Sequence, residues 1–161
     1  MIEYDYELTI YGDPRPQGRP RTRIIQAKNK DKAFATIYDD PKSKKAKENI
    51  KKLAWLQAPK PILDCPLRVD LMFYMPRPLA HYGTGRNSDK LKESSPTLHT
   101  KRPDIDNLRK LVMDALTGVF WRDDSLVCKG TTEKIYSDKP RTEIYINKIS
   151  LLTKVEDLFG D

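Results

Sequence analysis

Alternating apolar and polar positions mark three strands in the first half of the chain. In YDYELTIY (4–11) every second residue from Tyr6 to Ile10 is apolar, and this period of two predicts a half-buried strand. LRVDLMFYM (67–75) alternates in the same way, and AFATIY (33–38) is rich in residues that favour strands. We therefore predict strands over these three segments.

Two other segments show helical spacing. Asp40 before Pro41 suits a helix N-cap followed by proline at the first helical position, and it predicts a helix over 41–58 with a lysine-rich outer face. A second helix is predicted over 105–117, because apolar residues recur every three or four positions and Gly118 is placed to end it.

The remaining segments complete a prediction of the fold. LVCKGTTEKIYS (126–137) and RTEIYINKI (141–149) predict two strands joined as a hairpin, and 150–161 predicts a short closing helix. Residues 12–23 are too rich in Pro and Gly for regular structure, and a connection as long as 76–103 is usually functional or mobile. We expect one α/β (α+β) domain over 1–161, in which a small mixed sheet with an antiparallel C-terminal hairpin packs against two main helices.

The charge of the chain narrows the class of partner. Against 23 Asp and Glu stand 30 Lys and Arg, a net charge of +7, which favours nucleic acid or an anionic membrane surface. No segment approaches the ~20 apolar residues of a membrane span, and the basic helix has too narrow an apolar stripe to insert well. Cys65 and Cys128 lack metal-ligand spacing and suit free thiols in a reducing cytosol. We expect a cytoplasmic nucleic-acid-binding protein.

An aspartate pair lies at the start of the second predicted helix. Pro103 disfavours helix before it, so Asp104 is expected in extended backbone and Asp106 at the helix start. One interpretation is helix capping, which needs only one of the two. The other is that both carboxylates bind one divalent cation, since Mg²⁺ takes one or two carboxylates and completes its shell with water and phosphate.

Two further features lie along and beyond this helix. Asp123 and Asp124 suit either an ordinary turn or the same metal site, but a helix over 105–117 is about 20 Å long, so the chain would have to return. Lys110 is spaced for i,i+4 pairing with Asp106, or alternatively for stabilising negative charge that develops on a phosphate.

The segment HTKRPDIDNLRKLVMDALTGVFWRDDSLV (99–127) resembles the RusA family of Holliday-junction resolvases, in its phage and prophage branch. The family pattern is an Asp-x-Asp-Asn-Leu core, a basic residue, Asp-Ala-Leu in mid-helix, and an aromatic residue before Asp-Asp. Its positions here are Asp104, Asp106, Asn107 and Leu108; Lys110; Asp114, Ala115 and Leu116; and Trp121, Asp123 and Asp124. The N-terminal strand, Gly12 and GRPR (18–21) also look like the opening of that branch, whereas Leu126 departs from many relatives, which carry Gln there.

The resemblance implies a crossover junction endodeoxyribonuclease. Such an enzyme is a homodimer that uses Mg²⁺, with Mn²⁺ able to substitute, to resolve four-way DNA junctions by paired nicks during recombination and repair. By position, Asp104, Asp106 and Asp124 match the family's metal-binding catalytic aspartates, and Lys110 matches its catalytic lysine. The role of the acid at Asp123 is open.

Basic residues near the acids are candidates for holding DNA. They lie in the Pro/Gly segment, where the alternative is a solvated linker, and directly before the acids: Arg15, Arg19, Arg21, Arg23, Lys101 and Arg102. Two rival functions stay open. One is a structure-selective nuclease that acts on flaps or forks, and the other is a catalytically inactive branched-DNA-binding protein.

Overall fold

The computed structural model describes residues 3–19, 21–26, 33–38 and 40–150. Two α-helices and seven strands follow one another along these ranges. In chain order they are β1 (Tyr6–Tyr11), β2 (Arg21–Gln26), β3 (Ala33–Tyr38), α1 (Pro41–Trp55), β4 (Leu67–Pro76), α2 (Ile105–Leu116), β5 (Val127–Lys129), β6 (Thr132–Ser137) and β7 (Arg141–Lys148).

A mixed five-stranded sheet forms the centre of the molecule. β4 and β1 both pair with β7 in antiparallel fashion, and β5 and β6 pair in parallel with the other edge of β4. β2 and β3 form a separate antiparallel pair. The predicted α+β class, with a small mixed sheet and two main helices, is confirmed.

The last two strands do not pair with each other as the strands of a simple hairpin do. β6 and β7 run antiparallel and are joined across residues 138–140, as predicted. However, β4 lies between them and makes the ladder with each. The apolar alternation of β4 continues from Leu67 to Met75, so a central position buries more of its surface than an edge would.

The helices cover one face of the sheet and enclose the core with it. β4, α2 and β7 supply most of the fully buried side chains, joined by two aromatic residues that follow α2. The largest are Trp121, Phe73, Phe120, Leu67, Leu71, Leu108, Leu111, Leu116, Ile144, Ile146, Val69 and Val112. α2 connects the parallel strands β4 and β5, so its N-terminal turn lies near the C-terminal part of β4.

The helix starts agree closely with the prediction. Asp40 caps α1 by accepting hydrogen bonds from the Lys42 and Ser43 N–H groups at 3.2 and 3.3 Å. α1 ends at Trp55, earlier than the predicted 58. Gly118 has φ of +76° just after α2, which explains why the helix stops there.

Three further predictions concern residues 12–23, the long connection after β4 and the end of the chain. Residues 21–26, partly predicted as irregular, form β2, because the Pro/Gly-rich composition ends at Pro20 and β-branched residues follow. The long connection is folded: Arg77 donates to the Pro96 carbonyl at 3.0 Å and Ser95 to the His81 carbonyl at 2.6 Å. The predicted closing helix, from residue 151 onward, lies outside the described residues.

None of the helices in the described ranges is long and apolar enough to cross a membrane.

Candidate active site and nucleic-acid interface

Asp104 and Asp106 lie at the N-terminal end of α2. Asp104 occupies the N-cap position in extended backbone, with φ of −71° and ψ of 144°, yet its side chain makes no capping hydrogen bond. Asp106 is in the first turn, and both residues are exposed. Within the described ranges neither carboxylate has a hydrogen-bond or ion-pair partner. The capping interpretation therefore does not account for either side chain.

Both carboxylates line one open depression beside basic residues. Its volume is about 690 Å³. The other charged side chains on its wall are Lys101, Arg102, Glu133 and Lys134. The N-terminal end of a helix carries partial positive charge, which favours carboxylates and phosphates at this place.

Lys134 fixes the backbone that leads into the aspartates. Its ammonium group donates to the carbonyl oxygens of Lys101 and Pro103, both at 2.7 Å. These carbonyls belong to the three residues directly before Asp104. β6 therefore holds the start of α2 through a side chain that sequence analysis missed, because the contact spans more than 30 positions of the chain.

The donor set fits a magnesium ion at this pair. The two exposed carboxylates have no partner among the described residues, and they line one depression that is open to water and phosphate. Carboxylates in such a place are the ligands that Mg²⁺ takes in proteins. No group of three or more His, Cys, Asp or Glu residues in the described part of the chain is placed to hold a metal. In that part of the chain, Asp104 and Asp106 are therefore the two carboxylates that one chain could offer to such an ion here.

Asp124 lies at the far end of α2 from these two residues. The 12 residues of the helix span about 18 Å, and the strand that follows Asp124 pairs with Leu67 at the start of β4. Asp123 makes an ordinary turn, since its carboxylate accepts from the Ser125 N–H at 2.9 Å. Hydrogen bonding from Ser125 holds the pKa of Asp123 below its usual value.

Lys110 is exposed one turn after Asp106. Within the described ranges its ammonium has no salt-bridge partner. Asp114, one turn further along, pairs with Lys47 of α1 at 3.3 Å and joins the two helices. The interpretation of Lys110 as an i,i+4 partner is thus not supported, and its predicted catalytic role stays a prediction.

The arginine candidates separate into two groups. Arg15, Arg19 and Arg102 line an open cleft of about 830 Å³ together with Asp104. Arg15 is 3.9 Å from Asp13, with both side chains about half exposed, so this ion pair is weak. The other two candidates, Arg21 and Arg23, lie on β2 rather than in the loop, and their side chains are outside the described ones.

His99 is a further residue of the site that sequence analysis did not select. It is 9 % exposed, lies between the cleft and the depression, and packs on the Tyr136 ring at 4.5 Å. Burial and the nearby Lys134 ammonium lower the pKa of His99, so the imidazole is neutral at pH 7. Its position depends on the pairing of residues 97–99 with β6, which the sequence does not reveal.

Residues 12–147 match the model of the family described as "Endodeoxyribonuclease RusA". The chain belongs to this RusA family. It is also 33 % identical, over 144 residues, to the Bacillus subtilis (strain 168) protein described as "Uncharacterized protein YqaN". The alignment covers 89 % of this chain and 96 % of that protein. The RusA match includes every site residue predicted above, from Arg15 to Asp124. The aspartate pair thus lies inside the matched part of an endodeoxyribonuclease.

Proposed function

We propose that this RusA protein is a Mg²⁺-dependent endodeoxyribonuclease that resolves Holliday junctions by paired nicks in recombination and repair. The observation that carries the proposal is the pair Asp104 and Asp106 at the N-terminal end of α2. Their carboxylates have no partner among the described residues and line a depression that also holds Lys101, Arg102 and Lys134. A protein that only binds DNA has no use for free carboxylates there, since they repel phosphate. We propose further that the protein acts in the cytoplasm.

The charges of the site divide the work of the reaction. Mg²⁺, or Mn²⁺ in its place, would be held by Asp104 and Asp106 and would supply charge neutralisation and an activated water. Arg19 and Arg102 bind flanking phosphates and hold the cleaved strand against the aspartates. Lys110, exposed one turn along α2, stabilises the negative charge that develops on the attacked phosphate.

A homodimer accounts for both the paired nicks and the position of Asp124. Two nicks in a four-way junction require two active sites. Because Asp124 lies about one helix length from Asp106 within a chain, we propose that a second copy supplies Asp124 to the site. Mixed dimers test this arrangement. If Asp106→Asn and Asp124→Asn proteins, each inactive alone, regain cleavage when mixed, the two aspartates come from different subunits. If the mixture stays inactive although subunits exchange, the shared site is refuted.

The substrate is tested with a panel of labelled DNAs. Wild-type protein is incubated with a four-way junction, a linear duplex, a flap and a fork, each with Mg²⁺ and with EDTA. We expect nicks in two opposing strands of the junction, dependent on Mg²⁺, and little cutting of duplex. Equal cutting of flap or fork would replace the junction as substrate. Binding to the junction without nicks under any metal would show an inactive branched-DNA-binding protein.

A further inference from the structure

The loop that carries Arg15 and Arg19 (residues 12–19, the arginine loop) is hydrogen-bonded to both helices. The Gln17 N–H donates to the Asn107 carbonyl in the first turn of α2 at 2.8 Å. The Gly18 N–H donates to Ser43 Oγ in the first turn of α1 at 2.7 Å. The cleft wall formed by the arginines is therefore attached at adjacent residues to two separate elements.

Ser43 is the residue on which this attachment depends. It is 3 % exposed, and while its hydroxyl accepts from the Gly18 N–H it also donates to the Pro16 carbonyl at 3.1 Å. The hydroxyl also lies 3.5 Å from Asp40 Oδ2, so its two shorter hydrogen bonds are the ones directed to the loop. Alanine at this position would remove the side-chain partner of the Gly18 N–H and of the Pro16 carbonyl, both in half-buried residues.

Gly18 lets the loop approach α1 closely enough for these bonds. A Cβ atom at Gly18 would lie 2.7 Å from Asp40 Cβ and 2.9 Å from Ser43 Oγ. Real Cβ atoms do not approach other heavy atoms so closely, so a side chain here would move the loop away from the helix.

We infer that Ser43 is a positioning residue that holds the arginine loop in its DNA-bound conformation before DNA arrives. The inference rests on the proposed function, since it assumes that Arg15 and Arg19 bind phosphates. A loop fixed in advance loses less conformational freedom on binding, so the fixation strengthens affinity without adding contacts. Because the loop is docked on the first turn of α2, it also holds the bound phosphates at a set distance from Asp104.

Amide hydrogen exchange tests the attachment without DNA. We expect Ser43→Ala to raise the exchange rate of the Gly18 amide at least tenfold, and Ser43→Thr, which keeps the hydroxyl, to restore most of the protection. Ser88→Ala, an exposed serine in the long connection, is the matched control and leaves that amide unchanged. The inference would be overturned if the Gly18 amide of Ser43→Ala protein exchanges at the wild-type rate while the protein unfolds at the wild-type midpoint.

Junction cleavage kinetics test the consequence. We expect Ser43→Ala and Gly18→Ala each to raise KM about three- to tenfold and to change kcat less than twofold, because bound DNA orders the loop again. If Ser43→Ala loosens the loop but leaves KM unchanged, or lowers kcat alone, the positioning role is wrong while the proposed function stands. If wild-type protein fails to cleave or bind the junction, the proposed function fails, and the role given to the loop fails with it.

Discussion

Replacement of Lys134 by methionine separates the positioning of the aspartates from DNA binding. Methionine keeps an unbranched apolar stem but removes the ammonium that donates to Lys101 and Pro103. A hydrogen bond from a charged donor contributes about 1.5–3 kcal/mol net. The bond to Lys101 is exposed, so water replaces much of it. We therefore count only the partly buried bond to Pro103 at its full value. The free energy of unfolding should therefore fall by about 1.5–3 kcal/mol, which lowers Tm by about 3–12 °C.

The effect on catalysis should exceed the effect on binding. Without Lys134 the three residues before Asp104 can shift, and a displacement of about 1 Å at a reacting centre can cost on the order of 100-fold in rate. We expect Lys134→Met to lower kcat for junction cleavage about 10- to 100-fold, and to change the dissociation constant for the junction less than threefold. Single-turnover cleavage and gel-shift titration give the two quantities.

Lys139→Met is the matched control, because it removes the same charge from an exposed lysine in the connection between β6 and β7. If both variants lower kcat equally, the effect is one of net charge. If Lys134→Met cleaves at the wild-type rate, its two hydrogen bonds do not position Asp104, and the reasoning is refuted.

Three further predictions concern stability and DNA contact. Burial alone would raise the pKa of Asp70, but hydrogen bonds from Thr131, Arg68 and Tyr4 outweigh it and lower the pKa. This carboxylate therefore stabilises the fold above about pH 4, and its contribution is lost as the pH falls through the lowered pKa of the folded state. Asp70→Asn should therefore flatten the acid part of a plot of urea midpoint against pH. A plot with the wild-type slope would count against these hydrogen bonds. Gly130→Ala would place a Cβ 1.9 Å from the Val69 carbonyl, so its urea midpoint should fall well below that of Gly118→Ala, where space is open; equal midpoints would show that β4 yields easily. Arg102→Ala should reduce the salt dependence of junction binding by about one phosphate contact, whereas exposed Arg86→Ala should not; a slope equal to wild type would remove Arg102 from the interface.

Local sequence signals predicted the elements that depend on neighbouring residues. The start of α1 follows from Asp40 and Pro41, and the end of α2 from Gly118, because caps act within one turn of the helix. The long alternation of β4 predicted the strand, and Pro103 placed Asp104 in extended backbone. These signals were enough for the fold class and for the position of the aspartate pair.

Contacts between distant positions could not be predicted in this way. The bonds of Lys134 to Lys101 and Pro103, and of Ser43 to the arginine loop, join residues more than 20 positions apart. A lysine or serine that makes such a bond has the same local pattern as a solvated one. The order of strands around β4 depends on the same kind of long-range packing, which is why the partners of β6 and β7 differed from the expected pairing.

The proposed role of the carboxylates at the N-terminal end of α2 is metal-dependent cleavage of branched DNA. The measurement that tests it most directly compares wild-type protein with Asp106→Asn on a labelled four-way junction in Mg²⁺, with Asp89→Asn as an exposed control of the same charge change. We predict that Asp106→Asn binds the junction as tightly as wild type, or more tightly, and produces no nicks, while Asp89→Asn cleaves normally. Cleavage by Asp106→Asn at the wild-type rate would contradict the account, because the carboxylate pair would then not be the metal site.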